Sequence, residues 1–167
     1  PAPAATAGTS IPPHIVVYMD YQCPICQAFE VPNSSQLKNW VNTGAATLEI
    51  RPLSFLDGRG TPNEYSSRAG NAAICVAEYA PNSFFDYNAI LFENQPAEGT
   101  AGPSNDVLVE YLDKVQIPAT EKLTSCIKNV EFGERDAGDS IGRHRLAHES
   151  GIKPAAAALA ARDGSEL

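Results

Sequence analysis

At 167 residues the chain falls within the roughly 100 to 200 residues of one domain, which excludes a second catalytic domain while leaving room for a full core. Apolar residues make up 43%, with one Trp, six Phe and six Tyr, the composition of a globular protein and not of a disordered one. Twelve basic residues against 20 acidic give a net charge of -8, with Arg143-His144-Arg145 the one basic cluster, so a nucleic-acid or anionic-membrane surface is not expected, and no apolar run approaches the roughly 18 residues of a membrane span.

Residues 1–14 read as an extended linker, because the first 13 carry four prolines and no charge. A linker of this kind joins a domain to a signal peptide or membrane anchor, and the chain is then expected to be a mature or trimmed form. A single domain is expected over 15–167. Ile15 to Met19 is β-branched and aromatic, which predicts a buried central strand. From Pro24 to about Asn42 the residues Ile25, Phe29, Leu37, Trp40 and Val41 form an imperfect helical stripe, with a kink expected at Pro32 and a stop at Gly44. Thr47 to Leu53 is a second strand. Strand, crossover helix and strand make a βαβ unit, so the two strands should be parallel with a right-handed connection, and the fold class is α/β.

Helices dominate the middle. Asn63 to Ala80 is Ala-rich with one apolar face, and Pro81-Asn82 ends it. Ser83 caps a second helix carrying Phe84, Phe85, Tyr87, Ile90, Leu91 and Phe92. Gln95 to Pro103 is a Pro/Gly loop, Ser104 opens a third helix and Thr120 a fourth that runs through Cys126. Glu131 to about His148 reads as a polar helix anchored by Phe132, Ile141 and Leu146. The tail from Gly151 is nearly all alanine over 155–161, with a turn expected at Asp163-Gly164.

Chemistry concentrates at Cys23-Pro24-Ile25-Cys26, directly after a strand and at the first turn of a helix. The helix N-terminus offers unpaired N–H groups and about half a positive charge, which favour a thiolate at Cys23. Pro24 suits the first helical position, where its missing N–H costs nothing. Cys26, one turn on, can resolve a mixed disulfide formed at Cys23. Four cysteines allow three pairings. The close pair can close only a tight ring, which leaves Cys75 and Cys126 as each other's natural partners in a structural disulfide, with buried free thiols or a second redox pair as the alternatives, and this usage points to an oxidising compartment.

The segment Tyr18-Met-Asp-Tyr-Gln-Cys-Pro-Ile-Cys-Gln-Ala-Phe-Glu30 resembles the active-site segment of DsbA-like thiol–disulfide oxidoreductases of the thioredoxin superfamily. Tyr65-Ser-Ser-Arg-Ala69 together with the second Cys pair is similar to the actinobacterial members, and the likeness covers about 15–148. The resemblance implies a thioredoxin-like fold with a helical insertion at about 63–130. It also implies an extracytoplasmic enzyme, secreted or associated with the cell envelope, that forms or isomerises disulfides in exported polypeptides. Its re-oxidant would be a membrane partner of the DsbB or vitamin K epoxide reductase type. No cofactor is expected. The family's cis-proline maps onto Pro154, beside the cation of Lys153. Pro-Ile stands between the cysteines where the most oxidising members have Pro-His, so Ile25 predicts a milder oxidant.

Blander readings apply to the same residues. Two cysteines at this spacing are half of a zinc site, but zinc takes four ligands and His14, His144 and His148 are scattered. The His144/His148 pair, four residues apart, is expected on a solvated helix with no metal. Asp20 either accepts a proton from Cys26 or serves as a turn or cap residue, and both readings stand. Glu30 is expected on a solvated face. The rival from another class is a non-catalytic binding or chaperone-like module that keeps the thioredoxin fold; an accessible, titratable Cys23 favours the enzyme and an unreactive pair the module.

Overall fold

The computed structural model describes residues 11–59, 62–132 and 146–148. A strand, β1 (His14–Met19), leads into a long helix, α1 (Pro24–Thr43), and a second strand, β2 (Thr47–Pro52), pairs parallel with β1 from His14↔Thr47 to Met19↔Pro52. Four helices follow: α2 (Tyr65–Tyr79), α3 (Phe84–Glu93), α4 (Asn105–Lys114) and α5 (Glu121–Asn129). A short strand, β3 (Leu146–His148), then runs antiparallel to β2, giving the order β1-β2-β3. This is a thioredoxin-like arrangement, mixed α/β, with five α-helices beside a small sheet among the described residues.

Two expectations are corrected here. Among the described strands β2 lies in the middle, and β1 is buried on one side only: Ile15 and Val17 pack on the core while Val16 and Tyr18 are 38% and 50% exposed. A strand alternates its side chains between two faces, and the second face here is polar, built around buried Glu49, which accepts from Arg51 Nε at 2.6 Å and lies 3.1 Å from His14 Nε2. The polar helix expected to reach His148 does not do so. Val130 in the left-handed region, φ 51°, ends α5, and Leu146–His148 hydrogen-bonds to β2 as a strand, so the helical spacing of His144 and His148 is lost at its His148 end.

Local rules account for the helix boundaries. Cys23, in extended conformation, precedes α1 with Pro24 at its start, and Gly44 at φ 73° closes it by donating to the Trp40 and Val41 carbonyls. The helix runs on through Pro32, although proline cannot donate to the Ala28 carbonyl one turn back. The side chains of Ser104 and Thr120 cap α4 and α5 at Val107 N and Leu123 N. Ser83 precedes α3 without a side-chain cap bond, a correction that follows from the 3-10 turn Pro81–Ser83 running straight into the helix. No helix among the described residues is long and apolar enough to cross a membrane.

The core lies between the sheet, α1 and the four-helix segment. Met19, Tyr21, Leu37, Val41, Leu48 and Ile50 meet Ala69, Val76, Leu91 and Phe92 there. Buried along nearly its whole length, α2 is the central helix, and Gly70 lets it approach β2: a Cβ at that position would lie 3.3 Å from Pro52 Cβ. Cys75 on α2 and Cys126 on α5 are joined by a disulfide, with Cα atoms 5.9 Å apart.

Candidate active site

The strand-to-helix turn that presents the cysteines is built by its own backbone. Cys23 N donates to Asp20 O at 3.0 Å, closing the turn after β1, and Gln27 N donates to Cys23 O at 3.1 Å, the first bond of α1. Cys23 therefore stands at the N-cap, where the free N–H groups of the first turn converge, and no acidic residue occupies that turn. Both Cys23 and Cys26 are unpaired, half-buried thiols within hydrogen-bond reach of each other. Ile25 is 77% exposed between them.

The two thiols are not equivalent. Burial pushes the Cys26 thiol up to about 11, against the lowering effect of the Asp20 backbone N–H that donates to its sulfur at 3.4 Å; the neighbouring Cys23 and the Asp20 charge push it the same way as burial. At neutral pH Cys26 holds its proton.

Asp20 is fully buried beneath the turn. Its Oδ1 accepts from Gln22 N at 2.9 Å and from Ser66 Oγ at 2.6 Å, and its Oδ2 from Leu56 N at 3.2 Å. Burial raises this carboxyl above its ordinary range, the three hydrogen bonds oppose the rise, and Asp57 adds to it. The carboxylate thus organises the turn and also contributes to the field at Cys26. Asp57 in turn accepts from Ser66 N and Ser67 N, so the first turn of α2 is held against the active-site turn through two carboxylates.

Glu30 departs from the expectation of a solvated face. It is 2% exposed, its Oε1 accepts from Asn88 Nδ2 at 2.6 Å, and its buried Oε2 takes no hydrogen bond among the described residues. Asn88 Oδ1 accepts from Tyr21 OH at 2.9 Å, so a buried chain links Tyr21, next to the cysteine motif, to α3 and back to α1. Burial raises the Glu30 carboxyl, partly offset by Asn88. The cause of the departure is α3, which packs on α1 and covers the turn that a lone helix would leave wet. Pro154 and Lys153 lie outside the described residues, as does His144. Among the described residues no three His, Cys, Asp or Glu side chains converge where a metal could sit.

The structure brings Cys23, Cys26, Pro24, Ile25 and Asp20 together at one turn, joined by Ser66, Asn88 and three glutamines to which the sequence reading gave no site role. Gln22 and Gln27 flank the motif and could have been singled out by adjacency. Nothing local marks Asn88 or Gln95.

A family model described as thioredoxin matches residues 6–134. The chain is similar to the reduced form of the disulfide bond oxidoreductase DsbG from Mycobacterium tuberculosis, at 30% identity and TM-score 0.67 over 73% of this chain and 59% of that one. It is also similar to oxidised DsbA from the same organism, at 26% identity and TM-score 0.68 over 91% of this chain and 81% of that one. Among curated proteins it is 28% identical over 126 residues to the serine/threonine-protein kinase PknE of M. tuberculosis, matching 73% of this chain but spanning only 22% of the kinase.

Proposed function

The chain belongs to the thioredoxin family, and from that premise we propose that it is a thiol–disulfide oxidoreductase in which Cys23 exchanges with substrate and Cys26 resolves. The carrying observation is the pair of unpaired thiols one helical turn apart, with Cys23 at the N-cap of α1 and Cys26 held protonated behind it. The similarity to DsbG and DsbA of M. tuberculosis supports it.

In the oxidising direction a substrate thiolate attacks Cys23 Sγ, and the Cys23–Cys26 bond breaks. A mixed disulfide forms, while Cys26 leaves as a thiolate and takes a proton, which its high pKa favours. A second substrate thiolate then attacks the substrate sulfur of the mixed disulfide, and Cys23 leaves as a thiolate beside the α1 N–H groups. The substrate ends oxidised by two electrons and the Cys23–Cys26 pair reduced. In the reverse direction Cys23 attacks and Cys26 must first lose its proton, which makes resolution the pH-sensitive half of the cycle. Pro24 starts the helix, Ile25 keeps the space between the cysteines uncharged, and Asp20 holds the turn and modulates Cys26.

Exported polypeptides are the substrate class we assign. Support comes from the Cys75–Cys126 disulfide, which suits an oxidising compartment in a secreted or cell-envelope setting, and from the exposed apolar side chains of Ile25 and Phe29 one turn apart on α1. A membrane re-oxidant of the DsbB or vitamin K epoxide reductase type follows from the same reading, as does a substrate-side role for Pro154. The same reading assigns residues 15–167 to one domain, with the helices over about 63–130 as its insertion.

The test is twofold: equilibrate the Cys23–Cys26 couple against glutathione, and follow oxidation of a reduced, unfolded polypeptide by the oxidised protein. Stoichiometric disulfide formation is expected; a couple that neither equilibrates nor oxidises overturns the proposal. That outcome is the one expected of a second reading, a non-catalytic thioredoxin-fold binding or chaperone-like module.

A further inference from the structure

Three glutamines join the cysteine turn and the start of α1 to the end of α3 and the segment that follows it. Gln95 Nε2 donates to Tyr21 O and to Cys23 O, both at 3.1 Å. In return Gln22, whose backbone lies between those two carbonyls, donates through its own Nε2 to Ala97 O at 3.1 Å and Thr100 O at 2.8 Å. Gln27, one turn into α1, donates to Phe92 O at 2.6 Å and so takes a carbonyl of the last turn of α3. The receiving loop is itself set: Thr100 N and Oγ1 both donate to Ala97 O, and Gly99 at φ 78° permits the turn between them. Gln22 is fully buried, so the loop covers it.

We propose that Gln95, with Gln22 returning the contact, is a positioning residue for Cys23 that selectively stabilises the disulfide form of the site. The proposal rests on the exchange reaction assigned above. Its physical basis is preorganisation: the donation is made in full wherever the Cys23 backbone stays at the N-cap and is lost in part wherever it can leave. In the oxidised protein the Cys23–Cys26 bond covalently holds the N-cap residue against the first turn of α1. In the reduced protein that constraint is gone, and the Cys23 backbone is kept at the N-cap only by noncovalent bonds: the turn to Asp20, the helical bond from Gln27 N, and the donation from Gln95. The structure has the clamp closed with both thiols unpaired. A bond that matters more to one redox form than to the other shifts the couple, whereas one that serves both equally moves only stability. The α3–α4 loop, 72 residues away in sequence, thereby enters the redox poise of the site.

Gln95→Met keeps length and removes both donations; Gln95→Asn keeps the amide on a stem one methylene shorter. The expected result for Gln95→Met is a glutathione equilibrium displaced toward the dithiol form by about three- to tenfold, the span of one net hydrogen bond, with a smaller displacement for Gln95→Asn. The oxidised protein should lose more melting temperature than the reduced one. Equal losses in both forms with an unmoved equilibrium would make the clamp plain structural glue and overturn the proposal. Alkylation of Cys23 by iodoacetamide in a Cys26→Ser background separates this inference from the assigned function: a several-fold slower rate with Gln95→Met is expected even if the wild-type protein oxidises no substrate, and an unchanged rate in the folded variant counts against the clamp.

Discussion

Replacing both Cys75 and Cys126 by alanine separates the structural role of that disulfide from the redox chemistry of the other pair. The bond joins the central helix α2 to α5 across a sequence separation of 51 residues, and both sulfurs are fully buried. Opening a loop of that length restores denatured-state entropy worth about 4 kcal/mol in the chain-entropy model. The space left by two buried sulfurs adds a packing cost. For a domain of this size the loss corresponds to a fall in melting temperature of roughly 10 °C or more. The fold should survive, because Asn71 on α2 still donates to Cys126 O at 3.2 Å and accepts from Phe132 N at 2.9 Å, holding the two helices in register. The assay is thermal unfolding by near-UV circular dichroism with the Cys23–Cys26 pair oxidised in both proteins, followed by polypeptide oxidation at 25 °C. A melting temperature within a degree or two of wild type would refute the loop-closure reasoning. Lost oxidation activity in a folded double variant would place the pair in the electron relay.

Cys23→Ser should abolish exchange, while Cys26→Ser should accumulate mixed disulfides with substrate on non-reducing gels; equal trapping by the two variants contradicts their assigned roles. Ile25→His should make the couple more oxidising by tens of millivolts against glutathione, since an imidazolium beside Cys23 favours the thiolate-bearing form and the 77% exposed position accepts the ring without repacking. Glu30 lies above its ordinary value through burial, so its contribution to stability is present below pH about 4.5 and is lost as pH rises through the raised folded value. Glu30→Gln should therefore flatten the decline in denaturant midpoint above that pH and stabilise the protein at pH 7, and a midpoint that declines as before would assign the slope to Asp20 or another group. Because burial holds the Cys26 thiol above its ordinary value, resolution of a preformed mixed disulfide should speed up continuously as pH rises from 7 to 9 in stopped-flow traces; a flat profile would mean that Cys26 is deprotonated by a neighbour in the mixed disulfide.

What the sequence determined by itself is what depends on neighbours a few residues apart. A β-branched strand, a Cys-Pro-Ile-Cys turn and a helix ending at Gly44 follow from backbone preferences, as do the caps at Ser104 and Thr120, and the first two place a close pair of cysteines at a helix N-terminus. The spacing of four cysteines left Cys75 and Cys126 for each other. Tertiary structure decided which surfaces are covered. Glu30 sits on a helix stretch that reads as wet, and it is buried because α3, carrying Asn88, lies over it. Ile15 to Met19 reads as buried on both sides, yet only one face meets the core, because the opposite face carries the His14–Glu49–Arg51 cluster. Leu146–His148 follows a helical pattern but pairs with β2, whose backbone offers hydrogen bonds that no local signal announces. Asp20 and Cys23 receive Ser66 and Gln95 from 46 and 72 residues away. Periodicity and capping are properties of a few consecutive residues, whereas burial and the partner of a buried polar group belong to whatever the fold brings across the gap.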